Sequence, residues 1–436
     1  SIRPVLLPGT ARRRRIRIWQ APLLVLQASS IMKILVINAG SSSIKYQLMD
    51  LEDVHHHTLL ASGLVEKIGE PAGRIIHKTF LDGQERKIAE EEPLPSHREG
   101  MSRVVALLTD PDQGVIREAS EIQGVGHRVL SCGEVYSDTV RVTPKVKETI
   151  RDFFPLGPLH NPPNLMGIEV AEEFFPHAPQ VAVFDTAFHQ TMPPEAFLYA
   201  VPYEWYTKFR LRKYGFHGTS HKFIAQETAE YLGKPLDRTS LISLHLGNGC
   251  SMAAIRNGQC ADTTMGVTPL EGLVMGTRSG DIDPAAIPYI MEQTGMDAAQ
   301  VVNALNKQSG LKGICGVNDM REVVEAAAGG NARAQTALDI FAHRIRKYIG
   351  AYMALVPHLD ALVFTAGIGE NSAPAREHIC RQLDHLGIRL DPARNHSPVR
   401  GPREIQIEGA PLKILVIPTN EELQIALETK QIIEAR

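Results

Sequence analysis

The sequence has few cysteines and no long apolar run. Its 436 residues include only five cysteines, and no two of them form a C-x-x-C pair. This scarcity argues against a disulfide framework and favours a reducing, cytoplasmic setting. No stretch reaches the roughly 18 to 20 apolar residues that a membrane-spanning helix needs, so we expect no membrane partner. With 43% hydrophobic and 22% charged residues, the chain fits an ordinary globular protein of two domains or lobes.

The sequence also lacks a large excess of either charge. The formal net charge is −3, but residues 1–31 hold six arginines and no acidic residue. The remainder therefore carries 40 basic and 49 acidic residues. A body this acidic lacks the basic surface that nucleic acid requires, so we expect no nucleic-acid partner.

Residues 1–31 have their own composition. They contain an arginine run at 12–15 and a short apolar run at 22–26. Three interpretations apply: an extension outside the folded unit, an Arg-rich organelle-targeting peptide, or a secretory signal, which Gln20 and Pro22 disfavour by interrupting its apolar core. We take the first interpretation and place the functional start at Met32.

One structural unit is predicted twice. An apolar run at 33–38 leads into Gly40 and three serines, and an extended pattern resumes at 44–49. Residues 241–246 repeat this plan, followed by the small-residue turn 247–251 and a second strand at 252–255. Two such hairpins predict two similar lobes, each a sheet with helices, facing one another across a cleft.

The other elements alternate between strand and helix. Strands are predicted at 180–184, 362–365 and 413–417, and helices at 284–292, 320–328, 332–355 and 419–428, with Asp283 as the N-cap of the first. Prolines 155, 158, 162 and 163 predict a stiff surface connection. The fold class is therefore α/β.

Three small-residue turns could bind phosphate. Turns 40–43, 247–251 and 367–371 each follow a predicted buried strand, where backbone N–H groups are unobstructed. Glycine also serves tight turns for steric reasons alone, so each turn by itself is weak evidence. The chain has no Walker A loop and no G-x-G-x-x-G after these strands. Facing hairpins, rather than a helix-capping loop, would then hold the phosphate.

Basic side chains in glycine-rich segments are candidates for catalysis. Arg278 lies in the run M-G-T-R-S-G-D-I-D-P, and a guanidinium can offset the charge that develops during phosphoryl transfer. Arg128 follows His127, and His217 lies between Gly215 and Gly218, whereas we interpret His221 as structural. For histidines 55–57, a solvated loop is favoured over metal binding because no further ligands are near in sequence.

With these motifs the sequence resembles the acetate and propionate kinase family, part of the larger actin, sugar-kinase and heat-shock ATPase fold. The resemblance covers residue 32 to about 436. The matching stretches are N-A-G-S-S-S-I-K-Y (38–46), G-H-R-V (126–129), H-N-P-P-N (160–164), F-D-T-A-F-H (184–189), Y-G-F-H-G-T-S-H (214–221), H-L-G-N-G (245–249), M-G-T-R-S-G-D-I-D-P (275–284), G-I-G-E-N (367–371) and T-N-E-E (419–422).

The resemblance implies reversible phosphorylation of acetate to acetyl phosphate by ATP, with Mg²⁺ or Mn²⁺, in a cytoplasmic homodimer. It implies two actin-like lobes, residues 32–185 with the C-terminal helix 422–436, and residues 186–421. The implied catalytic residues are Asp185, His217 and Arg278, and Arg128 would bind the carboxylate. Asn38 and Glu421 would bind the metal. The implied nucleotide-binding residues are Ser41, Ser43, Lys45, His245, Leu246, Gly247, Asn248, Gly249, Asp319, Met320, Arg321, Gly367, Ile368, Gly369, Glu370 and Asn371.

The sequence departs from the family pattern beside the substrate. Residues 128–133 read R-V-L-S-C-G where the family commonly has R-V-V-H-G-G, and Ala366 replaces a usual glycine. Leu130 falls where acetate enzymes usually carry valine and propionate enzymes a smaller residue. Together with Leu159, Phe216 and Pro269 it would line a tight methyl pocket, which favours acetate over propionate.

Two alternatives remain open. One is a preference for propionate or another short-chain carboxylate. The other, from a different class, is a nucleotide-switched binding protein on the same fold that makes no acyl phosphate.

Overall fold

The computed structural model describes residues 30–435. The predicted extension lies almost wholly in residues 1–29, outside the described residues. Within 30–435 no helix is long and apolar enough to cross a membrane.

The first sheet has eight strands in the order β5-β4-β3-β2-β1-β6-β8-β7. Strand β1 pairs antiparallel with β2 and parallel with β6, and β6 pairs parallel with β8. The strands are β1 (Met32–Gly40), β2 (Ser43–Leu51), β3 (His57–Glu66), β4 (Gly73–Leu81), β5 (Gln84–Glu92), β6 (Gly124–Val129), β7 (Val140–Arg141) and β8 (Gln180–Phe184).

The second sheet repeats the core of the first. Its order is β11-β10-β9-β12-β14-β13. Strand β9 pairs antiparallel with β10 and parallel with β12, which pairs parallel with β14. The strands are β9 (Leu241–Leu246), β10 (Cys250–Arg256), β11 (Gln259–Thr263), β12 (Ala361–Thr365), β13 (Arg403–Glu404) and β14 (Lys413–Val416). The prediction of two similar α/β lobes that begin with equivalent hairpins is confirmed.

Helices cover the sheets and connect the strands. They are α1 (His97–Leu108), α2 (Pro144–Asp152), α3 (Asn161–Phe174), α4 (Pro194–Phe197), α5 (Tyr203–Phe209), α6 (Gly218–Tyr231), α7 (Ala286–Thr294), α8 (Ala298–Lys307), α9 (Gly310–Cys315), α10 (Met320–Ala328), α11 (Ala332–Leu355), α12 (Ala366–Asn371), α13 (Ala373–Cys380), α14 (Pro392–Asn395) and α15 (Glu421–Glu434). Helices α10 and α11 have the predicted bounds.

The C-terminal helix α15 packs against β1 and β6 of the first sheet. A Cβ at Gly126 would lie 2.3 Å from Thr429 Oγ1 and 2.8 Å from Ile425 Cγ2, so only glycine allows this approach. The last described helix therefore packs on the sheet that contains the first described strand, β1.

Four local predictions differ from the structure. Helix α15 runs from Glu421 to Glu434, so it begins two residues later and ends six residues later than the predicted 419–428. Helix α7 begins at Ala286 with Ala285 at its N-cap, so the prediction of Asp283 as N-cap is wrong. Asp283 Oδ1 instead accepts from Ala285 N in a turn before the helix. Residues 161–163 belong to α3 rather than to an open connection, since proline is tolerated in the first helical turn. The predicted turn 367–371 is the short helix α12, which begins at Ala366 with a left-handed φ of 63°. Glycine would adopt that conformation without strain.

Candidate active site

Asp185 joins three segments at the carboxyl end of β8. It is fully buried, and its Oδ2 accepts hydrogen bonds from Arg128 Nη2 at 3.0 Å and from the backbone N–H of His217 at 3.0 Å. Its carbonyl accepts from the N–H of Gly218, the first residue of α6. The first lobe and the start of α6 therefore meet at one carboxylate, whose other oxygen, Oδ1, is buried without a protein partner.

The His217 ring is held by a hydrogen bond at one edge and by stacking on one face. Its Nδ1 lies 2.9 Å from Ser251 Oγ, and its ring stacks on His245 with the centroids 4.1 Å apart. Burial, followed by the neighbouring His245 and His221, lowers the pKa of His217 well below its usual value. The imidazole is therefore neutral at pH 7 and acts as a hydrogen-bonding group. His221, with both ring nitrogens bound to Ser243 and Ser251, has the contacts expected of a structural residue.

Arg278 approaches the His217 ring from the second lobe. Its Nη1 donates to the carbonyl of Pro269 at 3.3 Å, and no acidic side chain within 30–435 forms an ion pair with it. A Cβ placed on Gly249 would lie 3.4 Å from His217 Nε2 and 3.6 Å from Arg278 Nη1. The guanidinium, the imidazole and the turn after β9 thus converge on one small space.

Backbone contacts fix the loop that carries Arg278. The N–H of Leu311 donates to the carbonyl of Met275, and the N–H of Ser309 to that of Thr277. Gly310 has a φ of 63°, and a Cβ there would lie 2.2 Å from the Met275 carbonyl oxygen. Only glycine fits at this contact. The start of α9 therefore packs directly against the loop that carries Arg278 and is hydrogen-bonded to it.

Glu421 and Asn38 lie beside Arg128. They share a cavity of about 290 Å³ with Arg128, Lys45 and Glu422. Burial, followed by the charge of Asp185, raises the pKa of Glu421 to about 7. Among the described residues, no group of three or more His, Cys, Asp and Glu side chains is arranged to hold a metal.

These side chains nevertheless fit a magnesium ion. Mg²⁺ prefers oxygen ligands and binds through one or two carboxylates while keeping several waters. The unpartnered Oδ1 of Asp185, the Glu421 carboxyl and the Asn38 amide supply such oxygens. A bound cation would also relieve the repulsion between the two carboxylates that raises the pKa of Glu421.

The predicted nucleotide residues fall into two groups. A cavity of about 630 Å³ brings together Gly247, Asn248, Asp319, Met320, Arg321, Gly367, Ile368 and Asn371. The other predicted residues do not line it, namely Ser41, Ser43, Lys45, His245, Leu246, Gly249, Gly369 and Glu370. Asn318 and Pro374 also line it; each is close in sequence to a predicted residue, which is the signal that could have identified them.

The predicted methyl pocket is only partly enclosed. Leu130 and Phe216 are 4% and 3% exposed and belong to one buried cluster, whereas Leu159 is 69% exposed. Ser131 fits its loop, because its Oγ accepts from Gly133 N and its carbonyl from Asn161 Nδ2.

His160 was missed as a site residue. It is half-buried, and its pKa is lowered by burial and then by the charges of Arg128 and Arg278. The H-N-P-P-N motif that contains it was the available signal.

Two facing α/β lobes, with a nucleotide-sized cavity next to converging guanidinium and imidazole groups, define a kinase of the actin-like ATPase class. Residues 33–427 match the model of the acetokinase family, and the chain belongs to that family.

Named relatives agree with this assignment. The chain is 56% identical over 404 residues to an acetate kinase of Nitratidesulfovibrio vulgaris, covering 92% of this chain and 100% of the relative. Among solved structures, acetate kinase of Porphyromonas gingivalis is similar with a TM-score of 0.87 and 42% identity. A propionate kinase of Francisella tularensis gives 0.85 and 42%, and both comparisons cover 92% of this chain and 100% of the other.

Proposed function

We propose that this protein transfers the γ-phosphoryl group of ATP to acetate, reversibly, giving ADP and acetyl phosphate. The observation that carries the proposal is the shared space beside Gly249, which His217 Nε2 and Arg278 Nη1 border from different segments. An acetate carboxylate is ionised at pH 7, so it can attack phosphorus without a general base. Catalysis then depends on alignment and on neutralising charge.

Each residue has a defined part in this step. Arg128, positioned by Asp185, binds the acetate carboxylate next to the metal-facing carboxylates. A carboxylate oxygen forms the new bond to the γ-phosphorus as the bond to the ADP oxygen breaks. Arg278 and His217 donate hydrogen bonds to the phosphoryl oxygens during transfer. Mg²⁺ or Mn²⁺, held by Asp185, Glu421 and Asn38, supplies neutralising charge to the nucleotide phosphates when bound.

Two further assignments accompany the function. The lobes comprise residues 32–185 with the C-terminal helix 422–436, and residues 186–421, although residue 436 lies outside the described chain.

The protein acts as a cytoplasmic homodimer. The apolar helix α7, which has no buried residue and exposes Tyr289 and Ile290, supports an interface, and light scattering after size exclusion tests it.

Hydroxylamine trapping tests the proposal. Acetate, Mg-ATP and folded protein should yield acetohydroxamate. Nucleotide binding without hydroxamate would instead favour the nucleotide-switched binding protein.

The Leu130 side chain limits the chain length of the carboxylate substrate. Replacing this 4%-exposed leucine with alanine should raise kcat/KM for propionate relative to acetate by about tenfold, because one methylene is worth about 1 to 3 kcal/mol in such a pocket. Steady-state kinetics from acetate to butyrate measure this ratio, with Leu130→Val as an intermediate step. An unchanged ratio in a variant that still unfolds cooperatively would place the methyl group elsewhere.

Gly249 keeps the transfer space open. The Cβ distances of 3.4 and 3.6 Å are ordinary contacts, so Gly249→Ala should fold normally. Its methyl group would displace a phosphoryl oxygen, and kcat/KM for ATP should fall by about 10²-fold. The control is Gly350→Ala in α11, where a Cβ meets nothing within 4 Å. Equal activity of the two variants would move the phosphoryl group away from Gly249.

A further inference from the structure

A second polar cavity lies beside the nucleotide cavity on the second lobe. It has a volume of about 690 Å³ and shares Asn371 and Pro374 with the nucleotide cavity. Its lining includes Arg376, Arg400 and Arg403. We refer to this space as the arginine cavity; the reaction proposed above does not use it.

Arg376 is a buried cation without a counter-charge. It is 2% exposed and donates to the carbonyls of Gly369, Glu370 and Asn395 and to Asn395 Oδ1, at 2.8 to 3.0 Å. All four acceptors are neutral, and Arg376 forms no ion pair with any residue of 30–435. Burial, followed by the charge of Arg403, lowers its pKa to about 10. The guanidinium is thus charged at pH 7 in a site that costs free energy to desolvate.

The other two arginines also lack acidic partners. Arg403 donates to the carbonyls of Glu370 and Gly401, while its buried Nε has no partner. Arg400 is exposed and, within the described chain, forms no ion pair. The one acidic lining residue is Glu370, whose Oε1 already accepts from Thr419 N. The lining therefore carries three arginines against one carboxylate.

We propose that the arginine cavity binds a small phosphate-bearing anion. Guanidinium groups present a planar fork that matches phosphate oxygens. The volume lies in the range of small-molecule sites. Arg376 and Arg403 also hold the carbonyls of residues 369 and 370 in α12, so the anion would lie against the segment that lines the nucleotide cavity.

Calorimetry on the full-length protein tests this site. The protein is first saturated with a non-hydrolysable ATP analogue, which fills the phosphoryl-transfer site, and is then titrated with inorganic phosphate or with glycerol phosphate. We expect one further equivalent to bind, and the tighter ligand distinguishes free phosphate from a phosphate monoester.

Variants locate the binding. Arg400→Gln, at an exposed position that should not disturb folding, should weaken binding about tenfold, as expected for one lost charge-assisted contact. Arg403→Gln should weaken it at least as much. The matched control, Arg256→Gln at the exposed end of β10, should bind like the unaltered protein. Absence of the second equivalent, or equal affinity in all variants, would overturn the proposal.

Discussion

Arg278→Ala is expected to lower kcat by about 10³-fold or more while changing ATP affinity far less. Arg278 reaches the space beside His217 Nε2 without forming an ion pair in the described chain, so its charge is available to the phosphoryl oxygens. An arginine in this role is worth about 10³ to 10⁵ in kcat, because the charge it meets develops in the transition state. Steady-state kinetics and nucleotide binding separate the two effects.

Two further variants serve as comparisons for the Arg278→Ala variant. Arg278→Lys keeps the charge but loses the fork, so we expect activity between those of the native protein and the alanine variant. Arg256→Gln, far from the cleft, should be unaffected. Equal losses in kcat and ATP affinity would contradict a transition-state role and indicate uniform binding.

The protein should also lose stability steeply below about pH 6.5. Seven histidines have lowered pKa values, chiefly through burial: His77, His127, His160, His189, His217, His221 and His245. For four of them the folded-state pKa is about 4. The unfolded chain, with a histidine pKa near 6.5, therefore binds more protons between about pH 4 and 6.5, and stability falls as pH decreases through that window.

Three carboxyl groups act in the opposite direction. Burial raises the pKa of Glu227, Glu271 and Glu421, so these groups favour the folded state as pH decreases. The histidines outnumber them, and each histidine contributes at most about 1.4 kcal/mol per pH unit. Net destabilisation in acid is therefore the expected sign.

Urea unfolding between pH 7 and 5 measures this dependence. His127 is fully buried and lies 2.7 Å from Gln180 Oε1. His127→Gln removes one titrating group, so the slope of unfolding free energy against pH should decrease by up to about 1.4 kcal/mol per unit. His343→Gln, at an exposed position on α11, should leave the slope unchanged. Identical slopes in both variants would show that buried histidine does not set the acid limit.

The hairpins were predictable because their evidence is local. Residues 33–38 and 241–246 are mostly apolar runs followed closely by small-residue turns that contain glycine, and both are buried strands. The phosphate-handling residues could be listed from motifs as well. Their mutual geometry could not, because Arg128, Asp185 and His217 are far apart in sequence. Arg128 and Asp185 meet where the parallel strands β6 and β8 end at one edge, and His217 joins them from the loop before α6.

Long-range contacts also explain the errors. Residues 367–371 have the composition of a turn, but the buried Arg376 binds the carbonyls of Gly369 and Glu370 and satisfies the end of α12. The arginine cavity had no sequence signal, since Arg376, Arg400 and Arg403 belong to no recognised motif. Leu159 was placed in a pocket from position alone, and its 69% exposure depends on packing that composition does not specify.

The hydrogen bonds at Asp185 also bear on any rotation of one lobe against the other. The Asp185 carboxylate accepts hydrogen bonds from Arg128 and from the backbone N–H of His217. The backbone carbonyl of Asp185 accepts one from the N–H of Gly218. A rotation of one lobe against the other about this point leaves atoms near the axis almost stationary, while displacement grows with distance from it. In such a rotation the outer rims of the cleft would move furthest, while Arg128 and the backbone of His217 would keep their hydrogen bonds to Asp185.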